Sequence, residues 1–351
     1  MRLLVLIVGA AFAAPCENKK VVVNLKLKFI NTYTTNPHMN LALEEYMFNN
    51  IGEDECIFYL WQNGHTVVIG KNQNAYKECK VSEFAASGGF LARRPSGGGA
   101  VYHDLGNLNF TFITTAKYYD VDKQLEVIAQ AAKAFGLTAE KTGRNDICID
   151  GKKFSGNAFL KNGEKHYHHG TILINVDMAE LGTYLNVSNK KLKAKGVDSV
   201  KSRVVNLKEL NEEITVENMR QELFKAFEIV YGGEAEEITV ENMDTEAIQK
   251  LYEKYTSDQW RFGESRNADL ELAERFSWGE INIYLSIKAN VIEEVKVYTD
   301  SMDIEIAEKI EKLLVDSPVD KSEMIRRIKS AGESLGEVAV DLAQLITEQD
   351  F

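Results

Sequence analysis

The chain of 351 residues has only four prolines and four cysteines. With so few prolines, and no Ser-, Gly- or Pro-rich linker, long disordered arms are not expected. The cysteines (Cys16, Cys56, Cys79 and Cys148) are widely spaced and form no C-x-x-C pair. That spacing argues against a zinc site or a disulfide framework and for a reducing compartment. Cations are also scarce: 41 Lys and Arg face 53 Asp and Glu, a net charge of -12. General nucleic-acid binding needs a cationic surplus, so any phosphate bound here is met locally by a few placed groups. The chain lacks a G-x-S-x-G elbow, a Walker loop and the dinucleotide fingerprint. Beyond the first segment, no apolar run approaches the length of a membrane span.

That first segment, "MRLLVLIVGAAFAAPCENKK", has a basic Arg2, an apolar run from Leu3 to Ala14, and small residues before Pro15. This is the grammar of a secretory signal peptide, and the run is too short to span a membrane. A mis-assigned start or an unusual first segment is the other reading. The dispersed cysteines favour an intracellular, cytoplasmic protein despite this start.

Apolar residues make up 44% of the chain and charged residues 27%, enough for sizeable cores in a soluble protein. "VVVNLKLKFINTYTTNP" reads as a first strand and "PHMNLALEEYMFNNI" as a helix. "ECIFYLWQNGHTVVIGKNQN" predicts a hairpin turning at Asn63-Gly64. "NLNFTFITT" is an alternating strand, and "VDKQLEVIAQAAKAFGL" an amphipathic helix closed by Gly136. "DICID" and "TILINVDM" are strands around a turn at Asp150-Gly151. "EEITVENM" occurs at 212–219 and again at 236–243, each copy with a Thr placed to cap a helix. After a polar break near 258–266 come two or three strands and two helices, "IAEKIEKLL" and "KSEMIRRIKS". Hairpins mixed with helices predict an α+β fold. The expected division is an extra segment 1–20, a catalytic unit 21–257 of mixed sheets with flanking helices, and a small α+β unit 266–351.

Three stretches can carry chemistry. In "RRPSGGGAVYHDLGNLNF", 93–110, consecutive glycines leave backbone N–H groups open to an anion, and Arg93 and Arg94 add bidentate charge. A tight turn with two surface arginines accounts for the same letters equally well. In "GRNDICIDGKKFSGNAF", 143–159, a hairpin brings Lys153 back past Asp146, where a lysine can hold a carboxylate or an α-phosphate as a point charge. A solvated lysine pair at a hairpin tip is the commoner situation. In "HYHHGTILINVDM", His168 and His169 must face opposite sides of a strand, so one histidine lining a pocket is favoured over a metal site. Cys148, between two isoleucines, reads as a buried thiol. Cys79, flanked by lysines, is the more reactive candidate, although nothing pairs a base with it.

Taken together, "RRPSGGGAVYHDLGNLNFTF", "GRNDICIDGKKFSGNAF", "HHGTILIN" and "LKAKGVDSVKSRVVNL" resemble the lipoate–protein ligase family. "NPHMNLALEEYMF" and "WQNGHTVVIGKNQNAYKEC" match the family's opening, and "LAERFSWGE" matches the start of its C-terminal accessory domain. The resemblance runs from about residue 27 to the end. It implies a biotin/lipoate ligase-like catalytic fold and an AMP-forming enzyme that joins lipoate to a lysine. It further implies that Arg94 and the backbone of Gly99, Ala100, Val101 and Tyr102 hold ATP. Lys153 would be catalytic, touching both the lipoate carboxylate and the phosphate. His103, His169 and Asn145 would line the lipoate pocket, with Asp146 a candidate Mg²⁺ contact and Lys195–Arg203 a covering loop. Implied partners are lipoate, lipoyl domains of 2-oxoacid dehydrogenase E2 subunits and the glycine-cleavage H protein, with no nucleic acid and no membrane.

No enzyme nucleophile is needed if lipoate itself attacks ATP, which agrees with the absence of one. Three alternatives stay open on the sequence: an octanoyl- or lipoyl-transferase of the same fold, a biotin–protein ligase, and a binding module without activity. The first, in its cysteine-dependent form, needs a pocket Cys; the second needs a Gly-Arg-Gly-Arg-type loop, which is missing.

Overall fold

The structure is a computed structural model that describes residues 25–142, 146–185, 204–263 and 268–349. The signal-like start, Asn145 and the loop Lys195–Arg203 lie outside the described residues.

The fold is α+β, as expected, and is organised by an eight-stranded mixed sheet. Its strand order is β11 (Ala235–Glu237), β1 (Lys26–Asn31), β2 (Glu55–Trp61), β6 (Asn107–Thr115), β10 (Lys165–Leu173), β9 (Lys152–Asn162), β8 (Asp146–Ile149) and β7 (Glu140–Thr142). Three of these strands form its centre: β2 (Glu55–Trp61), β6 (Asn107–Thr115) and β10 (Lys165–Leu173). Strand β2, "ECIFYLW", is apolar almost throughout because both of its faces are covered. Cys56, Phe58 and Leu60 point into one core with Phe110, Phe112 and Phe227. Ile57, Tyr59 and Trp61 point into the other, with Leu41, Met47, Phe48 and Tyr255. Helices Val121–Ala134 and Val216–Tyr231 supply the first cover, and Pro37–Asn50 and Thr245–Thr256 the second. Each large apolar side chain so buried contributes roughly 1.5–3 kcal/mol.

Strand alternation then places the chemistry. On β6, Phe110 and Phe112 join the first core, so Thr111 faces the other side, toward helix Pro37–Asn50. On β10, His168 lies among Phe110, Phe112 and Phe159, whereas His169 stacks beside Tyr167 on the opposite face. The two histidines diverge as the period of two requires.

A second sheet, β4-β3-β5, carries the glycine loop: β3 is Thr66–Ile69, β4 Phe90–Arg93 and β5 Val101–His103. This overturns the expected hairpin at Asn63-Gly64. Strand β2 belongs to the large sheet and β3 to the small one, and neither Asn63 nor Gly64 takes the positive φ that a two-residue hairpin turn needs. Asn63 is instead buried, accepting from Asn40 at 3.0 Å. The turn at Asp150-Gly151 does form, with φ of 49° and 75°, and joins β8 (Asp146–Ile149) to β9 (Lys152–Asn162).

Thr215 caps helix Val216–Tyr231 as expected. Thr239, in the second copy of the repeat, makes no side-chain cap and starts only one 3₁₀ turn. Asp244 caps the helix that follows. The residues just before that turn form β11 (Ala235–Glu237), an unexpected edge strand parallel to β1 (Lys26–Asn31).

After residue 268 the chain forms a three-stranded sheet, β12 (Leu270–Phe276), β13 (Gly279–Lys288) and β14 (Val291–Thr299), with helices Ile306–Leu314 and Lys321–Ser330, both as expected. A third helix, Glu337–Thr347, was not foreseen. Together they enclose a separate apolar core that includes Ile283, Ile310, Ile328 and Leu342. Among the described residues no helix is long and apolar enough to cross a membrane.

Candidate active site

The two arginines that open the glycine loop are both buried. Arg93 donates to the carbonyls of Gly70, Lys71, Gln73, Trp260 and Arg261, at 2.6–3.2 Å. It thereby ties helix Asp258–Phe262 to the turn after β3, and the indole of Trp260 returns a bond to the Arg93 carbonyl at 2.8 Å. Arg94 folds into its own loop. It donates to Gly97 O (2.7 Å), Gly99 O (2.8 Å), Val68 O (3.2 Å) and Ser96 Oγ (3.1 Å). Desolvation pulls its pKa down to about 10, which leaves it a cation at neutral pH. Arg94 is thus not one of two surface arginines on a tight turn: it sits inside and shapes the loop.

Gly98 has φ +91°, a conformation that disfavours any side chain. Its N–H donates to Ser301 O of the C-terminal unit at 3.2 Å. A Cβ on Gly97 would lie 2.5 Å from that same carbonyl, so close approach requires glycine there. A Cβ on Gly99 would meet nothing within 4 Å: this side of the loop is open. Val101 and Tyr102 pair with Val68 and Val67 of β3. The Tyr102 hydroxyl bonds His65 Nδ1 at 2.9 Å.

His103 follows directly, fully buried, with Asn63 at 3.1 Å from Nδ1. Burial, then Arg94 and His169 nearby, push its pKa down to about 3, so it is neutral at pH 7. His169 bonds Ser96 Oγ through Nε2 and Glu44 through Nδ1, each at 2.8 Å. The structure thus gathers Arg94, Ser96, His103 and His169 in one buried cluster with Glu44.

Glu44 was missed from the sequence. Its signal was there: in "NLALEEYMF" it shares a helical face with Leu41 and Phe48, both buried, where an unpaired carboxylate has no business.

Lys153 lies on the hairpin edge of the same sheet. A register shift between Ile147 and Cys148 lets Cys148 face Lys153 while Asp146 faces Gly156. Lys153 Nζ meets Asp146 Oδ1 at 2.7 Å, with the side chains 33% and 37% exposed. The lysine runs over Gly156, where a Cβ would come within 2.8 Å of Nζ. Lys152 is exposed. Among the described residues no cluster of three or more potential metal ligands occurs. Among the described residues the cysteines are poor nucleophiles: Cys56, Cys79 and Cys148 are all buried, and desolvation pushes the Cys79 thiol up to about 11. A surface cavity of about 700 Å³ beside Asp104 and Asp177 is lined by none of the expected site residues.

Residues 36–228 match the family described as the lipoyl protein ligase A/B catalytic domain, and residues 265–346 match the bacterial lipoate protein ligase C-terminus. The lipoate-protein ligase A of Psychrobacter cryohalolentis is 37% identical over 326 residues, 91% of this chain and 96% of that protein. The chain belongs to the lipoate-protein ligase A family. As a member it is an ATP-dependent ligase that attaches lipoate to protein. The Blochmanniella floridana relative is 39% identical over 84% of this chain and 89% of its own length. Among solved structures, P. falciparum LipL1 in complex with lipoate aligns with a TM-score of 0.79 at 29% identity, covering 90% of this chain and 99% of that one. A lipoate-protein ligase A bound with ATP shares the fold, at a TM-score of 0.59 and 24% identity, over 68% of this chain and 99% of its own. Ligase relatives matched over nearly their full length, together with the burial of the three described thiols, do not favour the cysteine-dependent transferase.

Proposed function

We propose that the lipoate-protein ligase reaction runs between the open side of the glycine loop and Lys153. A carboxylate oxygen of lipoate attacks the α-phosphorus of MgATP, the bond to pyrophosphate breaks, and lipoyl-AMP forms. The amine of an acceptor lysine then attacks the acyl carbon, and AMP leaves with the bonding electrons. Both steps build negative charge on oxygen, which a nearby ammonium offsets. The observation that carries this reading is the Lys153–Asp146 pair: the ammonium is held at 2.7 Å yet a third exposed, so it can change partners.

Gly99 and Ala100, on the open side, border the nucleotide, and Arg94 fixes the loop from behind. His103 and His169 border the lipoyl chain, together with Asn145. Mg²⁺ arrives with ATP as part of the substrate. Asp146 offers it one carboxylate, as suits an ion that keeps its waters and its phosphate ligands. Residues 266–351 act as an accessory domain, and the nucleotide takes over the Gly98 N–H now held by Ser301. The acceptors are lipoyl domains of E2 subunits and the H protein. The T. acidophilum structure of a bi-partite ligase and its E2 lipoyl domain, with a TM-score of 0.62 and 26% identity to this chain, supports the first of these. The net charge of -12 and the free thiols fit a cytoplasmic enzyme that binds neither nucleic acid nor membrane.

The test is transfer. Incubated with ATP, Mg²⁺, lipoate and an apo lipoyl domain, the protein should leave one lipoyl group on one lysine, read by mass spectrometry. An unmodified acceptor, or modification without ATP, refutes the proposal.

A further inference from the structure

The side-chain bonds of Arg93 all go to main-chain carbonyls, and they fall into two groups. Nη1 donates to Gly70 O, Lys71 O and Gln73 O, at 3.2, 2.9 and 2.6 Å, and so fastens the turn 70–73 that follows β3. Nε donates to Trp260 O at 2.8 Å, and Nε and Nη2 to Arg261 O at 3.1 and 2.7 Å. Those two carbonyls belong to helix Asp258–Phe262, which precedes the C-terminal unit in the chain. A guanidinium presents a planar fork of donors, which lets one side chain span both groups. The Trp260 indole donates back to Arg93 O at 2.8 Å, so strand and helix are joined in both directions.

The same turn is where the C-terminal unit docks. Thr299 N, at the end of β14, donates to Asn72 O at 2.9 Å, and Asn72 Nδ2 donates to Ile304 O at 2.9 Å. Between these two bonds the segment 300–303 passes over the glycine loop. There Gly98 N donates to Ser301 O at 3.2 Å, and a Cβ on Gly97 would lie 2.9 Å from Met302 O. Asn72 thus grips the segment on either side of the residue that occupies the Gly98 N–H. Arg93 holds both attachments of the C-terminal unit: the turn that binds it and the helix that leads to it.

We propose that Arg93 is a positioning residue of the ligase: by joining the turn 70–73 to helix Asp258–Phe262 it seats Ser301 on the glycine loop, where the Ser301 carbonyl competes with the nucleotide for the Gly98 N–H. Arg93 touches no substrate in this role. The competition rests on the reading of that loop as the nucleotide wall, whereas the seating of Ser301 does not.

Two measurements on the full chain test this. The first is amide hydrogen exchange resolved to single residues. The Thr299 and Gly98 amides should be protected in the wild type, because each is bonded across the two units. In Arg93→Met, which strands the carbonyls of the turn, both should lose protection, while Phe112 in the centre of the large sheet stays protected. Protection kept at Thr299 and Gly98, or lost equally at Phe112, overturns the proposal. If Arg93→Met does not fold, Arg93→Lys, whose single ammonium cannot reach both groups of carbonyls, is read at the same amides with the same outcomes. The second is calorimetric binding of MgATP without lipoate. Asn72→Ala removes the bond to Ile304 and should bind MgATP about two- to tenfold more tightly, as the release of one competing hydrogen bond allows. General damage to the loop would weaken binding instead. Unchanged or weaker binding by Asn72→Ala overturns the proposal. A wild-type protein that binds no MgATP would defeat the functional reading and leave the exchange test of Arg93 standing.

Discussion

The glycine loop and the Lys153 hairpin are built in opposite ways. Around the loop, Arg93, Arg94, Ser96, His103 and His169 are buried, and each is held by bonds to the chain itself. On the hairpin, Lys153 and Asp146 form one ion pair, each side chain about a third exposed. A buried hydrogen-bonded network is costly to disturb, because every lost partner strands a desolvated group. An exposed pair is worth little to stability and is free to rearrange. On the proposed reading the loop is a preorganised wall and Lys153 a cation able to change partners, so substitutions should separate them by kind: damage to the wall appears in stability, damage to the hairpin in rate.

The largest effect is expected at Lys153. Lys153→Ala should slow lipoyl-AMP formation about a hundred- to a thousandfold, ~3–4 kcal/mol of lost charge stabilisation, with an unchanged melting temperature. Loss of folding without a specific rate defect would erase the distinction. Arg94→Met should show the reverse emphasis. It strands the Val68, Gly97 and Gly99 carbonyls and should cost about 3 kcal/mol in a denaturant melt.

Acid probes the buried side in a third way. Burial lowers the pKa of His103 and His168 to about 3 and of His38 to about 4. A base whose folded pKa lies below its unfolded value takes up protons first in the unfolded chain. Stability is therefore full above the unfolded value of about 6.5 and falls as pH drops toward the folded values. Between pH 7 and 6 the loss should be roughly 0.5–1 kcal/mol for each histidine, seen as a falling melting temperature. Stability that stays flat across this window would mean that these histidines are not buried in neutral form. The smallest effect is expected one residue from the largest. Lys152, exposed at the turn, should tolerate replacement by Ala with under about 0.5 kcal/mol change in stability and no change in adenylation.

The same division explains what could be read in the sequence. That Lys153 returns beside Asp146 follows from local rules, a turn with two positive φ values and a strand period of two, although the register shift between Ile147 and Cys148 does not. Helices Val121–Ala134, Ile306–Leu314 and Lys321–Ser330 likewise follow from apolar spacing. The wall does not. His169 meets Glu44 across 125 positions and Ser96 across 73, and no local pattern encodes such contacts. The Asn63-Gly64 hairpin failed for a related reason. Asn63 is spent on Asn40 and His103, and the chain passes there from one sheet to another. Arg94 was legible as part of the loop, but its partners were not. Its charge turns inward, to carbonyls that the glycines expose.

The measurement that bears most directly on the account is pyrophosphate release from MgATP and lipoate with no acceptor present. The account predicts a burst of about one pyrophosphate per chain, followed by a stop because the adenylate stays bound, and no burst in Lys153→Ala. A wild-type protein that gives no burst, or a burst that survives in Lys153→Ala, would contradict it.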